Sequence, residues 1–76
     1  MNTPETLIDR LRLSPDWKER RESAIALSHY PGRETRDALF DALNDPDEDV
    51  IHAAMIALAE VGDEDLVEHL LLPRFL

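Results

Sequence analysis

Sliding the chain along itself by 31 residues brings Pro15-Asp16 onto Pro46-Asp47, Ile25-Ala26-Leu27 onto Ile56-Ala57-Leu58, the Pro31-Gly32 break onto Gly62-Asp63, and Leu39 onto Leu70. Turn signals and apolar positions thus agree at one period. A period of roughly 20–50 residues marks a repeat architecture, in which each unit is too small to bury its own apolar face and must stack on a neighbour. The spacing predicts an all-α fold, a short alpha-alpha superhelix of about five helices. The whole chain, 1–76, reads as one domain divided into a half-repeat helix at 1–13, a first repeat at 14–44 and a second at 45–76.

Start and stop signals place the helices. Thr3-Pro4 reads as a cap and first helical residue, and Leu7, Ile8 and Leu11 then recur on one face as far as Leu13. Ser14-Pro15 repeats the signal for a second helix over 16–30, with Trp17, Ala24, Ile25, Leu27 and Ser28 at helical spacing until Pro31-Gly32 stops it. Trp17, in its first turn, is expected to pack on the first helix. A third helix from Arg33 to Leu43 puts Thr35, Ala38, Leu39, Ala42 and Leu43 on its core side. Asp45 is expected to cap a fourth helix that opens at Pro46 and runs through Val50, Ala53, Ala54, Ile56, Ala57, Leu58 and Val61. Apolar on two sides, that helix should lie between neighbours. Asp63 then caps a fifth helix carrying Leu66, Val67, Leu70 and Leu71, which ends at Pro73.

Charge narrows the function. Residues 1–38 balance seven basic against seven acidic groups, whereas 39–76 carry ten acids and only Arg74, which accounts for the net charge of −9. Such a field repels a phosphate backbone, so nucleic acid is excluded as a partner, and a protein with a basic patch is favoured. With no cysteine in the chain, disulfides, thiolate metal sites and thiol nucleophiles are excluded together. No apolar run approaches the ~20 residues that a membrane span needs, and the expected location is the cytoplasm.

The segments SPDWKERRESAIALSHYPG (Ser14 to Gly32) and DPDEDVIHAAMIALAEVGD (Asp45 to Asp63) resemble the HEAT-like repeats of the phycobilisome-lyase type. Their pattern runs Asp-Pro-Asp, two variable residues, Val-Arg, an alanine-rich stretch ending Ala-Leu, and a Gly-Asp turn. The first copy has Glu19 where the pattern has Val but keeps Arg20; the second keeps Val50 but has Ile51 in place of Arg. The resemblance implies a HEAT-like solenoid that binds proteins along its second helices, and a role as an adaptor or accessory subunit of a larger assembly. It also implies an alternative, a non-catalytic partner subunit of a bilin lyase or similar chromophore-handling enzyme.

No constellation of side chains points to catalysis, and neither a metal nor a cofactor is expected. His29, His52 and His69 never pair at the i, i+4 spacing that sets two ligands on one helix face. Asp45-Pro46-Asp47-Glu48-Asp49 alternates carboxylates as a calcium loop does, but it has Val50 where the loop needs glycine and Ile56 where it needs glutamate. Helix capping explains these acids better. For binding, Arg36 and Phe40 remain on the third helix once its core side is assigned, and Val67 and Leu71 fall at the equivalent places one period later. Together with Phe75 in the apolar tail they form the expected partner-binding residues, facing either a client protein or a second copy in a homodimer.

Overall fold

The computed structural model describes residues 3–61 as four α-helices, with no strand among the described residues: α1 (Pro4–Leu13), α2 (Trp17–Leu27), α3 (Arg33–Ala42) and α4 (Glu48–Val61). The fifth expected helix and Leu70 lie outside the described residues. The first three helices each stop ahead of a proline. The residue preceding proline is pushed out of the helical region by the ring, and Ser14, before Pro15, is extended as this predicts. Ahead of Pro31, α2 tightens into i→i+3 bonds, with the Tyr30 amide donating to the Leu27 carbonyl at 3.0 Å. Ahead of Pro46, α3 does the same, the Asp45 amide donating to Ala42 at 3.1 Å. The second helix therefore ends at Leu27, three residues earlier than Tyr30.

The caps also differ from expectation at two helices. Thr3 caps α1 through the Thr6 amide, as anticipated. For α2 and α4, however, the caps are Asp16 and Asp47, two residues beyond Ser14 and Asp45. The Asp16 carboxylate accepts from the Lys18 amide at 3.0 Å, and the Asp47 carboxylate from the amides of Asp49 and Val50 at 2.9 and 3.3 Å. Ser14 and Asp45 act one step earlier, each accepting from the amide two residues on, at 3.2 Å from Asp16 and 2.9 Å from Asp47. This local turn satisfies the chain through the proline and sets up the real cap.

Ion pairs give the helix directions. Arg10 near the end of α1 meets Glu19 at the start of α2 (3.8 Å), so these two run antiparallel. Arg12 meets Asp41 at 3.1 Å, which joins the C-terminal ends of α1 and α3. Arg20 meets Asp45 at 2.9 Å, joining the N-terminal ends of α2 and α4. The closely packed pairs are α2 with α4, α1 with α2, α3 with α4 and α1 with α3. The result is two layers of parallel helices, α1 with α3 and α2 with α4, laid antiparallel on each other.

Between the layers lies a core of Leu7, Ile8, Leu11, Ala24, Leu27, Ala38, Leu39, Ala42, Val50, Ala53, Ala54, Ala57 and Val61. Nearly half of it is alanine, which lets helix axes approach to about 8 Å. Trp17 is half-buried against this core, its ring 5.2 Å from the Arg21 guanidinium and 5.8 Å from the Lys18 ammonium. Ser23 and Thr35 are buried too, and no buried side-chain nitrogen or oxygen among the described residues lacks a hydrogen-bond partner.

Arg20 does the most to fix the two layers. Its Nε and one terminal nitrogen grip both carboxylate oxygens of Asp45 at 2.9 and 3.1 Å, while the other nitrogen donates to the Ser14 carbonyl at 2.8 Å. One guanidinium therefore ties together the turns that begin α2 and α4. The side chains are only 13% and 8% exposed, so removing one partner strands a nearly buried charge. The Asp45 hydrogen bond, with burial opposing, raises the Arg20 pKa above its ordinary value. Because the folded value lies above the unfolded one, the contribution is complete at any pH below the latter, and Arg20 itself adds no pH dependence near neutrality.

Two expectations follow for stability. Arg20→Ala should lower the unfolding free energy by about 3 kcal/mol, and Arg20→Lys should recover only part, because an ammonium cannot fork onto a carboxylate. Urea titration followed by Trp17 fluorescence measures both. Gly32, the residue before α3, has φ 152° and ψ 166°, a region open essentially to glycine, and a methyl group there would meet nothing within 4 Å. Gly32→Ala should consequently cost about 1–2 kcal/mol through the backbone alone, read in the same titration.

Candidate interaction surfaces

The outer sides of the two layers differ. On the α1/α3 layer, burial of Thr35, Ala38, Leu39 and Ala42 turns Phe40 outward, and it is 51% exposed. Arg36 lies on the same helix one turn before it and is half-buried. These are the two third-helix members of the expected binding set. Val67, Leu71 and Phe75 lie outside the described residues, so α3 alone carries that set here. Leu13, at the end of α1, is also exposed, and the Arg12–Asp41 contact places it at the same end of the layer as Phe40.

The α2/α4 layer holds what sequence periodicity misplaced. Ile25 and Ile56, both expected in the core, are 52% and 54% exposed. The reason is geometric. Ser23, Ala24 and Leu27 turn the inward side of α2 toward the core, and Ala53, Ala54 and Ala57 do so for α4, which leaves the isoleucines about a quarter turn or more away. They line an open groove of about 480 Å³ between the two helices, with Arg21 and His29 on the α2 side and Asp49 and Glu60 on the α4 side. A signal for it was available: the two isoleucines are separated by one period, whereas the alanines beside them supply the small residues that a close helix seam needs.

His29 and His52 both border the groove, and both are exposed. Among the described residues no group of three or more His, Cys, Asp or Glu side chains could hold a metal ion. No described helix is long and apolar enough to cross a membrane. The chemical content of both faces is an apolar anchor with charges around it, which suits contact with another polypeptide.

The family model describing HEAT repeats matches residues 4–72 of the chain. No curated protein and no solved structure matches it.

The two placements are separable by stability. Leu27→Ala removes a fully buried side chain and should cost about 3 kcal/mol, whereas Ile56→Ser on the open groove should stay within about 0.5 kcal/mol of the parent, both by urea unfolding.

Proposed function

We propose that this chain, which belongs to the HEAT-repeat family, is a protein-binding module that acts as an adaptor or accessory subunit of a larger assembly. HEAT repeats typically bind protein partners, using surfaces that stacked helices hold rigid. The observation that carries the reading is Phe40. It is a large aromatic side chain held half out of a described, well-packed helix whose own core needs are met by Leu39 and Ala42. Aromatic anchors of this kind dominate binding energy at interfaces. Arg36 sits beside it, and Val67, Leu71 and Phe75 complete the proposed partner-binding set. The repeat division at 14–44 and 45–76 belongs to the same proposal.

The acidic second half of the sequence favours a partner with a basic patch, whose approach the field would speed. A cytoplasmic setting and a non-enzymatic role are part of the reading. The finer alternative, a partner subunit of a bilin lyase, rests on the Asp-Pro-Asp resemblance alone, and a tetrapyrrole absorbance band in the purified complex would favour it.

The test is capture from the native cell by the full chain, compared with Phe40→Asp. At an exposed position the substitution should leave the helical circular dichroism intact and weaken capture by about ten-fold or more, the loss of one anchor being worth about 2 kcal/mol. A folded Phe40→Asp chain that still captures the same protein removes α3 as the binding face.

A further inference from the structure

The outer side of the α2/α4 layer shows a relation between its charges that the protein-binding role of α3 does not use. Along α2 the stripe reads Lys18, Arg21, Ile25 and, in the turn just past the helix, His29, and on α4 it reads Asp49, His52, Ile56, Glu60, each member 31 residues after its counterpart. Because Arg20 holds the N-terminal ends of these parallel helices together, counterparts stand at similar heights along the groove. At one end stand Lys18, exposed on the α2 stripe with its ammonium 5.8 Å from the Trp17 ring, and the acidic Asp49, which lines the groove. At the other end His29 faces an acid, Glu60. Between them stand the two isoleucines, both more than half exposed.

Such a face is complementary to itself. Rotation by 180° about an axis running along the groove keeps the helix direction and the height of every residue, but exchanges the α2 column for the α4 column. Lys18 of one copy then comes to Asp49 of the other, Arg21 to His52, Ile25 to Ile56 and His29 to Glu60, and each pairing occurs twice. This is the condition for an isologous two-fold interface. We propose that the α2/α4 groove is a homodimerisation surface, closed by a second copy of this chain in parallel orientation.

The size of the face sets the strength. The 14-residue α4 is about 21 Å long, and two helices side by side give a face of roughly 400–500 Å² per copy. That is the small end of specific interfaces, so the dimer is weak, with a dissociation constant on the order of 100 μM. The net charge of −9 on each copy opposes association at low salt, and about 0.15 M salt confines that repulsion to roughly 8 Å. A heterologous amphipathic helix is the competing occupant, but it would have no reason to find basic and acidic residues at one-period spacing on the two walls.

Sedimentation equilibrium of the full chain in about 0.15 M salt, from about 10 μM to 1 mM, tests the proposal. The expected result is a mass rising toward twice the monomer. Ile25→Asp or Ile56→Asp should weaken the dimer at least ten-fold, about 1.4 kcal/mol, with circular dichroism unchanged. If an aspartate disturbs folding, the charge exchange decides instead: Lys18→Glu with His29→Glu should weaken the dimer, and adding Asp49→Lys with Glu60→Lys should restore it. A mass that stays monomeric to about 1 mM overturns the proposal, as does a dimer indifferent to Ile56→Asp or a charge exchange that fails to restore it. Binding of a helical peptide in the groove of a monomer would assign the face to a different occupant and also overturns it. Phe40→Asp should leave the dimer unchanged, so failure here is distinct from failure of the α3 face.

Discussion

The Arg20 guanidinium governs how the two halves of the molecule sit on each other. It belongs to α2 yet spends its hydrogen bonds on the turns before α2 and before α4, reaching Ser14 at 2.8 Å and both oxygens of Asp45. A planar fork accepts a carboxylate in one orientation only, so the contact fixes a distance and an angle together. Asp45 is itself held by the Asp47 amide, and Asp47 caps α4. The position of α4 is therefore transmitted through a short chain of hydrogen bonds that begins at one side chain of the neighbouring unit.

Around that clamp the packing is economical. Alanines at 24, 38, 42, 53, 54 and 57 bring the helices close, and Leu27, Leu39 and Val50 are the largest fully buried side chains. A thin seam of this kind uses one side of each helix and leaves the opposite side uncovered. Two-layer architecture then exposes apolar residues as a matter of course, which is why Phe40 appears on one layer and Ile25, Met55 and Ile56 on the other. The described residues form two layers and no third that would cover them.

How much of this was legible follows from which signals are local. Helix breaks were readable because Pro15, Pro31 and Pro46 exclude the helix from the residue before them, whereas the ends themselves were less so, since α2 and α3 stop at Leu27 and Ala42 and tighten into a last turn ahead of the proline. The repeat and its family were readable because the Pro-Asp turns at 15–16 and 46–47 and the Ile-Ala-Leu segments after them recur in phase. Phe40 was readable by subtraction, since its neighbours filled the inner face of α3. The caps were misplaced by two residues because Ser14 and Asp45 have the side chains of caps, and only the backbone through the proline shows that Asp16 and Asp47 perform that task. Ile25 and Ile56 were assigned inward because hydrophobicity alone ranks isoleucine above alanine. Seam geometry ranks them the other way, since the closest helix contacts admit only small side chains.

The departures from the repeat pattern now have a physical meaning. Ile51 occupies the place in the second unit that Arg20 holds in the first, and Ser14 the place of Asp45. The clamp between α2 and α4 is thus made once among the described residues, with neither its donor nor its carboxylate duplicated there. In a solenoid, coupling between neighbouring units sets how rigidly surface residues are carried relative to one another. The α2/α4 face lies directly across the one clamped seam, whereas Phe40 rides on α3, whose contacts to α1 and α4 are made through the alanine-rich core and the exposed Arg12–Asp41 pair. The two faces therefore differ in the character of their support, and they lie on different layers. A second copy docked on α2 and α4 would leave both α3 faces open, so that a dimer presents its partner with two Phe40 anchors, and weak single contacts then gain by avidity where their spacing allows.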